Sequence, residues 1–314
     1  MPDKSTSFAA SATLATLNCA AVPNRRFVRA VARLLALGLM ATAQCASKPE
    51  ATPHRSASLA SAQPPDLQAQ GEPAFLQPQE LPPELPSRRL LVVIDPGHGA
   101  KDNPGNTSCY CIAEQDFTLA LAYDLEAALE ALEGYDVVLS RHGSELVSYA
   151  ERVAMAERLH ADAFISLHSD IRGQAKLWRP NGAEDCKWSE EAPGFSVLFS
   201  DEAEPQLVTA RRSLGSALAK GLLAANFSPY GGEEYLNLYA ADAAAAGLFV
   251  DRHEAKKRVF VLRKPTIPSI IIETHNALDP REARRWEDVD VRHAFALAVA
   301  QGLTQFHMSQ TTNE

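Results

Sequence analysis

LLVVIDPGHG, residues 90–99, is an apolar, largely β-branched run that stops at Asp95 and turns at Pro96-Gly97. Such a run is the signature of a strand buried on both faces, where no polar alternation is needed. The chain after it repeats the same grammar. Residues 114–133 read as a helix, with Phe117, Leu121, Leu125, Ala128, Leu129 and Leu132 on one face and Gly134 as its stop. DVVLS (136–140) is the second strand, 147–159 the second helix and AFISLH (163–168) the third strand. FSVLFS (195–200) follows as a strand and 206–225 as a helix; RVFVLR (258–263) and PSIIIE (268–273) are the last strands, and a helix from Val291 to His307 closes the unit. Strands alternating with helices predict an α/β fold, a mostly parallel twisted sheet with helices on both faces.

In such sheets ligands bind beyond the carboxyl ends of the strands. His98 lies just past the first strand, His168 ends the third and Glu273 ends the last, while Glu114 opens the helix after the first strand. Alone, each has an ordinary role: a strand-end histidine as a hydrogen-bonding group, Glu114 as an acid at a helix N-terminus. Four such residues on one sheet edge make a site. Two imidazoles and a carboxylate are a zinc set with a fourth position open to water. Zinc lowers the pKa of that water to about 7, and a carboxylate outside the metal shell takes its proton. His98, Glu114 and His168 fit as ligands and Glu273 as the base, although spacing alone allows the two glutamates to exchange roles. Gly97 and Gly99 flank His98, so a metal and substrate can come close. No Gly-x-Ser-x-Gly elbow is present to support a serine nucleophile.

These residues carry a resemblance. IDPGHGAKD (94–102), Glu114, VVLSR (137–141), Arg152, ADAFISLHSD (161–170) and VLRKPTIPSIIIET (261–274), in that order, resemble the zinc-dependent N-acetylmuramoyl-L-alanine amidases of the family-3 type over residues 89–308. The resemblance implies hydrolysis of the amide between the lactyl group of N-acetylmuramic acid and the first L-alanine of the peptidoglycan stem peptide. It assigns one zinc ion to His98, Glu114 and His168, with Glu273 as catalytic base. Two other outcomes share the fold or the chemistry: a peptidoglycan-binding module without catalysis, and a zinc peptidase cutting within the stem. Several positions depart from the family pattern. Ala100 replaces a glycine, Asn103 interrupts the following Asp-Pro-Gly, and Thr274-His275-Asn276 stands where relatives often have Gly-Phe. His275 is expected either to touch substrate or to hold a loop. Arg141 and Arg152 either pair with stem-peptide carboxylates or hold helices to the sheet edge.

Three segments have other expectations. Residues 171–194, with Trp178, Cys186 and Trp188, read as an inserted rim loop that contacts substrate or covers the domain's own core. Cys109-Tyr110-Cys111 is a poor zinc spacing; in an exported protein Cys186 is expected to join one of the pair. Residues 231–251 read as a surface loop whose deletion leaves folding intact, or, as a lid, one bringing Glu233 or Glu234 to the metal.

The chain has 314 residues, 46% hydrophobic and 22% charged, which suits a soluble globular protein. Thirty basic against thirty-nine acidic side chains give −9, against a binder of nucleic acid by phosphate neutralisation. Arg25, Arg26, Arg29 and Arg33 precede the apolar run LLALGLMATA (34–43), the length of a signal-peptide core and too short to span a bilayer. Residues 1–43 are therefore expected to be a signal peptide cleaved after Ala43, with lipid attachment at Cys45 as the competing reading. Residues 44–88 hold nine of the twenty prolines and read as a flexible tether. The expected product is a periplasmic monomer comprising the catalytic domain 89–314, with peptidoglycan as partner, no transmembrane segment and any activator unknown.

Overall fold

The computed structural model describes residues 88–182 and 184–311. The expected leader, Cys45 and the tether up to Ser87 lie outside the described residues. The elements run β1 (Leu90–Pro96), α1 (Glu114–Glu130), β2 (Tyr135–Leu139), α2 (Tyr149–Arg158), β3 (Ala163–Asp170), β4 (Lys176–Trp178), β5 (Cys186–Trp188) and β6 (Ser196–Phe199). They continue with α3 (Pro205–Ala224), β7 (Tyr239–Ala241), β8 (Leu248–Asp251), α4 (Phe260–Arg263), β9 (Ser269–Asn276), α5 (Pro280–Glu287) and α6 (Val289–Thr311).

Seven strands form one sheet in the order β2-β1-β3-β9-β6-β8-β7, with β2, β1, β3 and β9 parallel and β6 antiparallel to β9. Side chains alternate between two packed faces, as the two-residue strand period requires. Val92, Ile94, Ile165, Leu167, Ile270 and Ile272 join α1, α3 and α6 on one face. Val93, Phe164 and Ile271 join Val153 and Ala156 of α2 and Val261 and Leu262 of α4 on the other. Helices thus cover both faces, as expected. By the same alternation His168 follows Leu167, and Glu273 follows Ile272, onto the α2 side. The start of α2 is set by Ser148, which accepts from Glu151 N while the Glu151 carboxylate takes Ser148 N. Among the described residues no helix is long and apolar enough to cross a membrane.

Two expectations are corrected. Residues 258–263 are not a strand: Phe260–Arg263 is a single helical turn. Both hydrogen-bonding edges of β9 are already taken, by β3 and β6, so no ladder remains for a neighbour. The turn is held instead by Arg211, which donates to Pro265 O at 2.6 Å, and by Ser269 Oγ on Leu262 O at 3.1 Å. Residues 231–251 are not a dispensable loop either. They contain β7 and β8, and Leu248, Phe249 and Val250 are buried in the sheet, so deletion would remove its edge.

The 171–194 insertion forms the β4–β5 hairpin and covers the domain itself. Trp178, Cys186 and Trp188 pack with Cys109 and Ala283 in a small satellite core, and Trp178 Nε1 donates to Cys109 O at 2.7 Å. Cys111 and Cys186 form a disulfide across a sequence separation of 75, and Cys109 is a buried free thiol. Closing a loop of that length lowers the entropy of the unfolded chain by about 4 kcal/mol of stability. Cys111→Ser is therefore expected to lower Tm by roughly 10 °C for a domain of this size. Scanning calorimetry with and without a dithiol reductant checks this. The reductant should shift the wild type and leave the variant unmoved; equal Tm values for the two would contradict it.

Candidate metal centre

The histidine turn is built on unusual backbone. His98, Gly99 and Ala100 have φ of 64°, 126° and 69°, so two non-glycine residues occupy the left-handed region, a local strain that the surroundings must hold. Two buried arginines hold it. Arg141 donates to Pro96 O and Gly97 O, both at 2.9 Å, and to Gln115 O at 2.7 Å, tying the turn to the start of α1. Arg152 donates to Pro96 O at 2.8 Å, to His98 O and to Asp95, whose other oxygen takes Ser166 Oγ at 2.6 Å. Both guanidiniums are 1% exposed, so they stand as internal struts of the turn.

Three sequence-selected side chains converge on this turn. His98 Nε2 lies 3.0 Å from Glu114 Oε2, and His168 Nδ1 lies 2.9 Å from Glu114 Oε1. Glu114 also takes Asn106 N at 2.9 Å and Ser169 N at 3.1 Å, so both oxygens are anchored by backbone. Burial would raise the Glu114 carboxyl, but hydrogen bonds from His168 and His98 outweigh it and hold the group well below the usual carboxylate range. Burial likewise opposes charge on His98, yet its bond to Glu114 raises that ring above its ordinary value. Asn103, the interruption in the motif, has a place here. Its Oδ1 lies 3.2 Å from His98 Nδ1, which fixes that nitrogen as donor and leaves Nε2 as a ligand atom.

One ligand atom from each of His98, Glu114 and His168 lies within 4.8 Å of the others, a donor set suited to a borderline metal such as zinc. The walls are also shaped for close approach. A Cβ at Gly97 would stand 2.4 Å from His168 Cε1, and one at Gly105 would stand 2.6 Å from Glu114 Oε2.

Glu273 pairs in register with His168 across β3 and β9. Its Oε2 is enclosed without a hydrogen-bond partner, and the residue lines a cavity of about 220 Å³ with Asp170, Arg172, Tyr235 and Tyr239. Burial first, then the charges of Asp170 and Glu114, push the Glu273 carboxyl well above the carboxylate range, with Arg172 opposing them. Sequence marks none of these four, but Glu234, which it does mark, lines the same cavity and accepts from Gly173 N at 2.8 Å. Asp170 closes a quoted motif, whereas the tyrosines come from 231–251, where no periodic signal marks them.

His275 is 3% exposed, stacked on Trp286 with ring centroids 5.5 Å apart and met edge-on by Phe117 at 5.0 Å. Thr274 Oγ1 donates to His168 O at 3.0 Å, so it accepts from His275 Nδ1 at 2.9 Å and leaves Nε2 as the ring's acceptor. Burial, with the Arg172 charge second, pushes the ring down to about 3. An unfolded histidine titrates near 6.5, so between these values the unfolded chain binds the extra proton and stability falls as pH falls. From pH 7 to pH 5 this one group is expected to remove about 2 kcal/mol. His275→Phe keeps the ring stack and should lack that component; urea unfolding of both proteins at the two pH values measures it. Equal pH slopes would contradict the buried neutral ring.

A family model described as N-acetylmuramoyl-L-alanine amidase matches residues 92–305. A probable N-acetylmuramoyl-L-alanine amidase, AmiB of Haemophilus influenzae, is 26% identical over 246 residues, 71% of this chain and 53% of that one. N-acetylmuramoyl-L-alanine amidase AmiA of Escherichia coli K12 is 26% identical over 235 residues, 70% of this chain and 77% of that one. The chain thus spans about half the length of the Haemophilus relative and 60% of AmiC from another Escherichia coli strain. In structure it resembles the N-acetylmuramyl-L-alanine amidase Ami1 of Mycobacterium smegmatis, with a TM-score of 0.56 and 22% identity over 71% of this chain and 99% of that one, a likeness of fold.

Proposed function

Because this chain belongs to the N-acetylmuramoyl-L-alanine amidase family, we propose that it is a zinc-dependent peptidoglycan hydrolase. Its reaction is cleavage of the amide joining the lactyl group of N-acetylmuramic acid to L-alanine. His98, Glu114 and His168 hold the metal and Glu273 is the general base. One observation carries the reading: two imidazoles and a carboxylate with donor atoms within 4.8 Å, beside a carboxylate whose enclosed oxygen has no hydrogen-bond partner. A zinc ion held there supplies Lewis acidity to the attacking water and to the scissile carbonyl.

The chain's own groups do the rest. Glu273 takes a proton from the attacking water and returns it to the departing alanyl amine, so no covalent intermediate is needed. Asn103 keeps His98 Nδ1 protonated, and Arg141 and Arg152 hold the strained turn that aims the ring. Residues 1–43 are the export signal and 44–88 the tether of the domain 89–314. The site of action is the periplasm, with lipid attachment at Cys45 as the alternative to cleavage after Ala43.

The test is digestion of purified peptidoglycan by the full chain, with and without added zinc, followed by mass spectrometry. Free stem peptides beginning with L-alanine, formed only with metal, are the expected products. Fragments cut within the stem would make the protein a peptidase. Binding without any cleavage would make it a binding module.

A further inference from the structure

Residues 106–114 bring Glu114 to the metal cluster on a loop whose two limbs are bonded to each other. Glu114 N donates to Asn106 O and Asn106 N to Glu114 Oε2, both at 2.9 Å, and Gln115 N donates to Pro104 O at 3.0 Å. Farther out, Thr107 and Ala113 form a bridge, and Ser108 N donates to Ile112 O and Cys111 N to Ser108 O, both at 2.9 Å. The tip is therefore continuous in hydrogen bonds with the carboxylate. It is bound covalently to the rest of the domain by Cys111–Cys186. Cys111 has a φ of 60°, a left-handed backbone that a non-glycine residue keeps only under constraint. The other end of the bond lies on β5, in a two-stranded sheet with no ladder to the seven-stranded one. A hairpin of that kind is marginal in water by itself, so the disulfide steadies hairpin and loop together. The two cysteines of the loop differ in access. Cys109 is buried and its thiol is pushed up to about 12 by burial, so at neutral pH it does not compete for Cys186. Cys111 is partly exposed and open to a reductant.

We propose that the Cys111–Cys186 disulfide is a redox control on the metal centre: the oxidised form holds Glu114 in place for zinc, and the reduced form binds zinc about tenfold less tightly. A dithiol performs the switch. Its two sulfurs join as a disulfide, giving up two electrons and two protons, and Cys111 and Cys186 each become a thiol. Disturbing an outer partner of a metal ligand costs about 10–100-fold in affinity, and the low end applies because Asn106 is loosened and not lost. By linkage, zinc makes the disulfide harder to reduce by the same factor. The inference rests on the zinc reading of His98, Glu114 and His168.

The test uses the full chain and reads zinc affinity by chelator competition, without reference to activity. Cys111→Ser combined with Cys186→Ser is expected to bind zinc about tenfold more weakly than the oxidised wild type. Tyr135→Phe is the control for lost stability alone. It removes the bonds of the Tyr135 hydroxyl to Ala300 O and Thr304 at the start of β2, away from the carboxyl ends of the strands, and should keep wild-type affinity. A redox titration of the wild type in dithiothreitol buffers gives a second reading that decides the matter if the serine variant fails to fold. Cys111 and Cys186 are counted as thiols by alkylation and mass spectrometry, and saturating zinc should raise the reduced-to-oxidised dithiothreitol ratio at the midpoint about tenfold. Equal zinc affinity in wild type and serine variant, an equal loss in Tyr135→Phe, or a midpoint that zinc leaves alone overturns the control while leaving the metal centre in place. A midpoint that zinc lowers also overturns it, and means that the freed thiols themselves take metal, with Glu184 completing a three-ligand set. If the wild type binds no zinc in either redox state, the metal reading itself has failed and the redox control falls with it.

Discussion

Glu273→Gln is expected to slow stem-peptide release by about 10²–10⁴-fold, the usual worth of a positioned acid–base group, while the protein keeps its metal. Glu273 and His168 are direct register partners on parallel neighbours, so their side chains leave the same face of the sheet from backbones about 4.8 Å apart. That places a carboxylate beside the cluster and outside its donor set of His98, Glu114 and His168. The enclosed Oε2 has no donor to neutralise it, and burial with Asp170 and Glu114 raises its proton affinity. A stronger base captures a proton from water more readily, and a proton held more tightly is still on hand for the leaving amine. The sign follows: activity should rise with pH as Glu273 ionises, because the base must first lose its own proton. Glutamine preserves shape and cannot take that proton. Turnover measured by mass spectrometry, with metal content of the same samples by elemental analysis, tests the role. A loss below tenfold at full metal occupancy would remove Glu273 from the chemistry; a large loss with absent metal would make it a ligand.

The residues of this centre were legible in sequence for a physical reason. An apolar run stops at each of them: His98 follows the end of β1, whereas His168 and Glu273 close the apolar runs of β3 and β9 two and three residues before those strands end at Asp170 and Asn276. Glu114 was legible because Ala113 ends a loop and the 3.6-residue period begins after it. What the pattern lacked was direction and partner. FSVLFS reads identically whether it runs with β9 or against it, and it runs against it. RVFVLR alternates like a strand, yet the sheet had no free edge for it, so tertiary supply of hydrogen-bond partners overrode local preference. Leu248-Phe249-Val250, a short apolar run after an alanine-rich stretch, is too brief to outweigh the loop signal, and α5 carries little apolar period although Asp279-Pro280 is a helix start with Asp279 taking Arg281 N and Glu282 N. Arg141 and Arg152 show a different limit. The same guanidinium suits a substrate carboxylate or a buried carbonyl, and only their burial against Pro96, Gly97 and His98 assigns the second.

Gly97→Ala separates the cluster as a metal site from the cluster as a set of packed polar groups. At Gly97 the backbone is not in the left-handed region, so alanine meets no conformational penalty there, unlike at Gly99 or Gly105. Its Cβ would lie 2.4, 2.5 and 2.7 Å from Cε1, Nε2 and Nδ1 of His168. Real Cβ atoms do not approach that closely, so either β1 or the ring must move. The Gly97 backbone is tied by its N–H to Leu167 O at 2.9 Å and by its carbonyl to Arg141 and Thr118, each at 2.9 Å. The ring, held by the single contact of its Nδ1 with Glu114 at 2.9 Å, is the part that yields. A displaced His168 leaves two donors, and since disturbing even outer partners of metal ligands costs 10–100-fold in affinity, a moved ligand is expected to cost at least about 100-fold. Zinc competition with a chromophoric chelator reads this directly, without reference to catalysis. Thermal unfolding of the metal-free proteins supplies the control: a shift of only about 1–3 kcal/mol is expected from overpacking one methyl. Wild-type zinc affinity in Gly97→Ala would mean that His168 is not a ligand, and that the His98, Glu114 and His168 cluster is held together by its own hydrogen bonds.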